Sequence, residues 1–396
     1  MIRAALSLPR AVWLLGLISF VNDTASDMIY PLVPLYLASV LMAGPKALGL
    51  IEGIAEAFGS VLKLVAGVLA DRLRHMRGWV IAGYAVSGLV RPLIALSTSW
   101  LGVLACRFAD RVGKGLRAAP RDALLALSVA RESRGLAFGL HRALDNLGAV
   151  VGPLLAAALL GLGFTLREVF FWAIVPAILV IVLTLYVREP ERTVLQARPF
   201  RWNLSDQPRA FRRYLVALAL FTLGNSSNMF LLLRARELGL GEAQVPLVWA
   251  LVCFVAAVTG PALSAWSDRV DRQRLIVAGW CIYAVFYLVF GLLPAQPWLL
   301  WPLFGGYGLF LAATEGAEKA LVADIVPGEQ AGTAFGWYNL VSGIVLLPAS
   351  LLFGWLWSDL APMTAFVFGA LCALGGAGLL AFWVKAGQGQ AAATGE

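Results

Sequence analysis

Apolar stretches of about 20 residues, separated by short polar breaks, recur along all 396 residues of the chain. Inside a bilayer every backbone N–H and C=O must be satisfied within the chain, so runs of this length read as membrane-crossing helices. The pattern places spans near 11–40, 47–69, 78–97, 99–118, 134–160, 168–187, 214–236, 243–266, 275–293, 297–322, 332–356 and 361–384. Composition agrees: 60% of the residues are hydrophobic and only 14% charged, enough apolar sequence for about twelve spans. An ordinary cytosolic enzyme, a disordered chain and a disulfide scaffold are all excluded by this balance. The expected fold is all-α integral membrane, with twelve transmembrane helices. Cys106, Cys253, Cys281 and Cys372 stand singly in apolar runs, and no metal or cofactor site is expected.

The first run follows Arg3 and Arg10, but it is too long for a signal peptide and carries Asn22, Asp23 and Asp27, so it reads as a retained helix. Orientation follows from the basic residues. Of the 31 Lys and Arg, 22 fall in alternate breaks beginning at the N-terminus. Both termini are therefore expected in the cytoplasm of a multi-pass protein of the cell (inner or plasma) membrane. The net charge of +8 encodes this topology, and no nucleic-acid partner is implied.

The longest hydrophilic connection, 188–213, divides the chain into 1–187 and 214–396, two expected six-helix bundles. An internal repeat with an offset of 197 residues supports the division. Asp71-Arg72 and Arg77 recur as Asp268-Arg269 and Arg274, and Gly135-x-Ala137-Phe138-Gly139 recurs as Gly332-x-Ala334-Phe335-Gly336. Six is even, so the two pseudo-repeats face the same way.

With these motifs the chain resembles the major facilitator superfamily over essentially its whole length. Gly67-x-x-x-Asp71-Arg72-Leu73-Arg74-His75-Met76-Arg77 resembles its most widespread loop signature, with Arg74 in place of the second glycine. Ser264-x-x-x-Asp268-Arg269 resembles the degenerate second copy. Gly139-(x8)-Gly148-(x3)-Gly152-Pro153 resembles the fifth-span signature of proton-driven exporters, with Ala156-Ala157 at the closing glycine pair. Arg107 resembles a buried arginine of such exporters. The resemblance implies a secondary transporter that works by alternating access. Gly67, Asp71, Arg72, Arg77, Asp268 and Arg269 would act as a gate latch. Gly139, Gly148, Gly152 and Pro153 would allow close helix approach and a bend.

Charges inside spans are the most informative residues, because each costs about 2.5–3.5 kcal/mol at a helix centre. Span one carries Asp23 and Asp27 on one face with Asn22 and Tyr30. Span two carries Glu52, Glu56 and Lys63. Arg91 follows in span three, Arg107 and Asp110 in span four, and His141, Arg142 and Asp145 in span five. Span ten adds Glu315, Glu318 and Lys319, and span seven the uncharged Asn225 and Asn228. Asp23, Asp27, Glu56, Asp110 and Asp145 are the candidates for proton coupling, since crowded buried carboxyls hold protons near neutral pH. The others are candidates for a substrate cavity. Ion pairing such as Arg142 with Asp145 or Lys319 with Glu315, and a hydrogen bond between His141 and Asp145, are the structural alternatives.

Protease, hydrolase and phosphate-loop motifs are missing, no segment is long enough for a nucleotide domain, and the repeat disfavours a channel. The chain is expected to be no enzyme but a monomeric, proton-coupled exporter of small organic solutes. The alternative is a symporter taking up an anionic or zwitterionic metabolite, with Lys63, Arg91, Arg107 and Arg142 holding its acid group.

Overall fold

A computed structural model describes residues 8–70, 76–130, 133–189, 203–267, 269–327 and 330–384. Among them there is no strand, and the chain folds as packed helices. The first run is helix α1, Arg10–Ile29, continued through a 3-10 turn at Tyr30–Leu32 into α2, Val33–Ser39. Pro31 and Pro34 remove backbone donors there, which accounts for the break. Next come α3, Pro45–Ala70; α4, Met76–Leu93; α5, Trp100–Leu127; and α6, Arg134–Gly161. Gly163, at φ +94°, turns the chain into α7, Leu166–Trp172, which starts with a Thr165–Glu168 capping box and leads into α8, Ile174–Leu185.

The later residues repeat this order. They form α9, Arg209–Gly224; α10, Met229–Glu237; α11, Gln244–Ser267; and α12, Arg272–Leu292. The series ends with α13, Leu300–Ile325; α14, Ala331–Asp359; and α15, Pro362–Trp383. Asn225, at φ −91° and ψ 75°, stops α9, so the expected span 214–236 is a broken helix.

Among the described residues, eight helical segments are long and apolar enough to cross a bilayer. The other long helices (α1, α3, α5 and α13) carry Asp23, Asp27, Glu52, Glu56, Lys63, Arg107, Asp110, Glu315, Glu318 and Lys319. These helices bring the charged residues into the bundle. Helix α5 also runs to Leu127, well past the end expected near 118. Arg111 and Arg117 therefore lie buried inside a helix rather than in a basic break, a correction to the topological count. Arg111 lies on the face that holds Arg107, whereas Arg117 turns toward α4, where it donates to the Ser87 hydroxyl and lies over the Tyr84 ring.

Within α1–α8 the main packings join α1 to α6, α4 to α5 and α3 to α5; in the later helices, α11 to α13, α12 to α15 and α9 to α15. Two packings join the early helices to the late ones most extensively: α3 on α14, and α6 on α11. The α3–α14 contact is close because a Cβ on Gly53 would lie 3.1 Å from the carbonyl oxygen of Leu347, and one on Gly354 2.6 Å from that of Pro45. Lys46 and Asp359 close the same end with a half-exposed ion pair of 2.5 Å. At the other end, Gly135, Gly139 and Gly332 have open space around them.

Candidate functional site

Helices α3 and α5 run side by side in the same direction, and their charges meet in register. Glu52 and Glu56 are one turn apart, as are Arg107 and Arg111. Arg107 donates to Glu52 from Nε at 3.0 Å and from a terminal nitrogen at 2.6 Å, and Arg111 meets Glu56 at 2.6 Å. A third pair joins Arg91 of α4 to Asp110 at 3.0 Å, with Arg91 also donating to the Asn22 carbonyl and side-chain oxygens at 3.1 and 3.0 Å. Glu52, Arg91, Arg107, Asp110 and Arg111 are all buried. Buried charges persist when paired and hydrogen-bonded in this way.

The second cluster is acidic. Asn22 donates to Asp23 at 2.8 Å, Ser19 donates to Asp145 at 2.6 Å, and the Asp23 carboxyl adjoins that of Asp145. Asp27 accepts from Trp249 Nε1 on α11 at 3.3 Å, and the Trp249 ring packs on Tyr30 with centroids 5.2 Å apart. This arrangement depends on two glycines. A Cβ on Gly152 would meet the Thr24 carbonyl oxygen at 2.5 Å, and one on Gly148 would meet Asp23 Cβ at 3.1 Å. Only glycine lets α6 carry Asp145 this near to α1. Gly152→Val is therefore expected to abolish recovery of folded protein, and Gly152→Ala to cost about 1–3 kcal/mol, both readable by size-exclusion chromatography and thermal melting in detergent.

A third cluster spans the early and late helices. Arg142 reaches Asp145 at 3.3 Å and Glu315 of α13 at 3.2 Å, while Lys319 holds Glu315 at 2.8 Å. Arg142, Glu315 and Lys319 are about half exposed although they lie within long helices, because they border a cleft of about 320 Å³ between α6, α11 and α13. Asn146, Gly260 and Ser264 complete its wall. Beyond the cleft, Tyr30 stacks over Arg107 at 5.7 Å and Ser227 donates to Glu52 at 3.1 Å, which seals the side toward Lys46 and Asp359. The two sets of helices are thus held together around the end that carries Lys46 and Asp359.

Several expected cavity residues lie elsewhere. Glu318 is buried among the later helices, accepting from Trp280 at 2.9 Å and Tyr338 at 2.8 Å, so the cavity loses it. Asn225 and Asn228 bond Tyr283 and Tyr307, at 3.2 and 2.7 Å, and hold the α9–α10 break. His141 is buried with Nε2 unpartnered, and no hydrogen bond joins it to Asp145, whose oxygens are taken by Ser19 and Arg142. Gly139, expected at a close approach, faces open space. Pro153 sits buried inside the continuous helix α6.

Arg91 and Arg107, expected to hold a substrate anion, are already occupied by Asp110 and Glu52. Of the latch residues, Asp71, Arg72 and Asp268 lie outside the described residues. Gly67 lies within α3, Arg77 donates to the Leu185 carbonyl at 2.7 Å, and the Arg269 amide donates to the Trp266 carbonyl in a turn. Sequence reasoning missed Trp249 and Ser19, which carry no charge to mark them. It read Lys114 as part of the basic end of span four, although the 107, 111, 114 spacing along α5 marks one helical face.

An all-helical bundle with apolar spans, buried ion pairs and a cleft between two sets of helices defines a membrane transporter by its fold. The family model of the Major Facilitator Superfamily matches residues 15–345 and, again, 214–395. The chain belongs to the Major Facilitator Superfamily, and it is not an enzyme. Among its relatives, an uncharacterised MFS-type transporter of Methanocaldococcus jannaschii is 31% identical over 374 residues, 93% of either chain. The multidrug resistance protein MdtG of Enterobacter lignolyticus is 24% identical, over 82% of this chain and 78% of its own. The fold matches a bacterial homologue of the human lysosomal transporter Spinster in an inward-facing, occupied conformation (TM-score 0.73, 16% identity, 94% of each chain). It also matches the nucleoside transporter NupG (TM-score 0.80, 11% identity, 94% of this chain and 98% of that one).

Proposed function

We propose that this transporter exports a small organic solute from the cytoplasm in exchange for protons, by alternating access. The observation that carries this reading is the pair Asp23 and Asp27. Neither carboxylate has a basic partner within ion-pair distance among the described residues, and Asp27 reaches across the seam to Trp249. A carboxyl that is not committed to an ion pair gains or loses a proton at low cost when its surroundings change. Because Asp27 and Trp249 lie on opposite sides of the seam, rocking of the two sets of helices changes those surroundings.

All twelve helical units cross the cell membrane in this reading, with residues 1–187 and 214–396 as the two moving bundles, 188–213 as the cytoplasmic linker, and both termini inside. The basic residues set that orientation. The cleft then opens to the cytoplasm, and the Lys46–Asp359 end is closed to the outside. The similarity to MdtG, a multidrug resistance protein, supports export. One chain supplies every part of the site, so a monomer suffices.

The test is solute flux in proteoliposomes with an imposed pH gradient. Solute moving against the proton flow is expected. Accumulation in the same direction as protons favours a second reading, symport of an anionic or zwitterionic metabolite, for which the unpaired Lys63 and Lys114 speak. Alternating access has its own test. In a variant lacking the four native cysteines, Lys46→Cys with Asp359→Cys, joined by a bifunctional thiol reagent, is expected to stop transport and to recover when a cleavable linker is cut. Undiminished flux in the cross-linked protein counts against rocking. Without the cross-link, loss of this exposed ion pair should change stability by no more than about 1 kcal/mol.

A further inference from the structure

Once the ion pairs are set aside, Asp23, Asp27, Lys63 and Lys114 remain without an oppositely charged partner among the described residues, whereas the likewise unpaired Arg117 is held by the Ser87 hydroxyl and the Tyr84 ring, and Glu318 by Trp280 and Tyr338. Lys114 is exposed within α5, although it lies one turn beyond the buried Arg111. It shares the α5 face of Arg107 and Arg111, the face turned toward Glu52 and Glu56 of α3, and a Cβ on the adjoining Gly115 would lie 2.7 Å from Leu62 Cβ, beside Lys63. Lys63 lies two turns beyond Glu56 on α3, half-buried, with Glu56, Arg111 and Lys319 as its electrostatic neighbours. Among the described residues neither lysine has a carboxylate within 4.0 Å; the nearby Glu56 is held by Arg111. Two ammonium groups beside Arg111 repel one another, and a negative group binding between them would relieve that repulsion.

The opposite pole has cation-binding chemistry. Asp27 lies against the indole of Trp249, which stacks on Tyr30, giving a carboxylate beside two aromatic faces. We propose that the solute is a zwitterion: its cationic group sits at Asp23, Asp27, Tyr30 and Trp249, and its anionic group at Lys63 and Lys114. This inference rests on the proton-exchange reading and gives it a chemical basis. The cationic group and protons compete for the same two carboxylates, so their occupancy alternates. The anionic group meets lysines that take no part in that competition, and it contributes affinity in both protonation states.

The test compares three probes by ligand-induced shifts in thermal unfolding of the purified full chain. Dimethylbenzylammonium propanesulfonate carries both charges, benzyltrimethylammonium only the cation, and benzenesulfonate only the anion. The sulfobetaine is expected to bind about tenfold more tightly than either fragment, a difference of about 1.4 kcal/mol. Lys63→Met with Lys114→Met should bring its affinity down to that of benzyltrimethylammonium, whereas Lys63→Arg with Lys114→Arg should retain it. Equal affinity for the sulfobetaine and benzyltrimethylammonium overturns the proposal, as does tightest binding of benzenesulfonate. The comparison of probes on the unaltered protein decides the question even where the methionine variant does not fold. Binding is read at equilibrium without a gradient, so failure here leaves proton exchange standing. Absence of proton-driven flux despite binding refutes the exchange reading instead.

Discussion

Glu52→Gln and Arg107→Met are each expected to destabilise the protein by about 3–5 kcal/mol, whereas the double variant recovers most of the loss. Glu52 and Arg107 are 1% and 4% exposed, so whichever charge is left behind has no route to water. Its desolvation is then uncompensated, apart from the Ser227 hydroxyl on Glu52 and the Tyr30 ring over Arg107. Removing both charges removes the penalty and leaves a polar, well-filled site. Apparent melting in detergent, read by the monodisperse fraction after heating, is the measurement. A double variant as unstable as the two single losses summed would show that the pair itself, not the stranded charge, holds the helices. The neighbouring rung, Glu56 with Arg111, should show the same pattern with a smaller loss. Glu56 has a side chain 25% exposed, so water shares the stranded charge.

Asp23→Asn and Asp27→Asn are expected to remove proton-driven accumulation, down to the level of protein-free vesicles, while the protein still inserts and melts normally. Asparagine keeps the size of the side chain and its hydrogen bonding, so Asn22 and Trp249 retain partners, but it holds no exchangeable charge. Each single variant, which keeps the other carboxylate and the Trp249 and Tyr30 rings, should still equilibrate solute in counterflow without a pH gradient, with weaker apparent affinity. The decisive measurement is that contrast: coupled flux lost, uncoupled exchange kept. Full proton-driven transport in both single variants and in the double would refute the assignment. Arg142 provides a control. Its two carboxylate partners, Asp145 and Glu315, lie on different sets of helices, so Arg142→Gln is expected to slow transport rather than uncouple it.

Much of the fold was legible because the bilayer leaves few choices. Apolar runs, the polar 188–213 stretch and the repeated Gly-x-Ala-Phe-Gly pattern already pointed to the superfamily that the family match shows. Legibility failed where two signals share one residue type. Arg111 and Arg117 look like positive-inside anchors in a linear reading, yet α5 continues through them and buries both. The span-one and span-seven breaks were hidden as well, since hydropathy averages across Pro31 and Asn225 without registering a local change of backbone direction.

The sequence by itself determined the class of protein, the placement of its charges on particular helices and their spacing along each helix face. Helical periodicity is local, so Glu52 and Glu56, or Arg107 and Arg111, can be assigned to one face from their numbers alone. Only the tertiary structure decided which of these charges meet. The cost of a charge in a low-dielectric interior depends on a partner within a few ångströms, and those partners lie on neighbouring helices tens to hundreds of residues away. Packing settles Arg91, Arg107 and Arg111 into ion pairs and leaves Asp23, Asp27, Lys63 and Lys114 without them, and it is that remainder on which the transport chemistry rests.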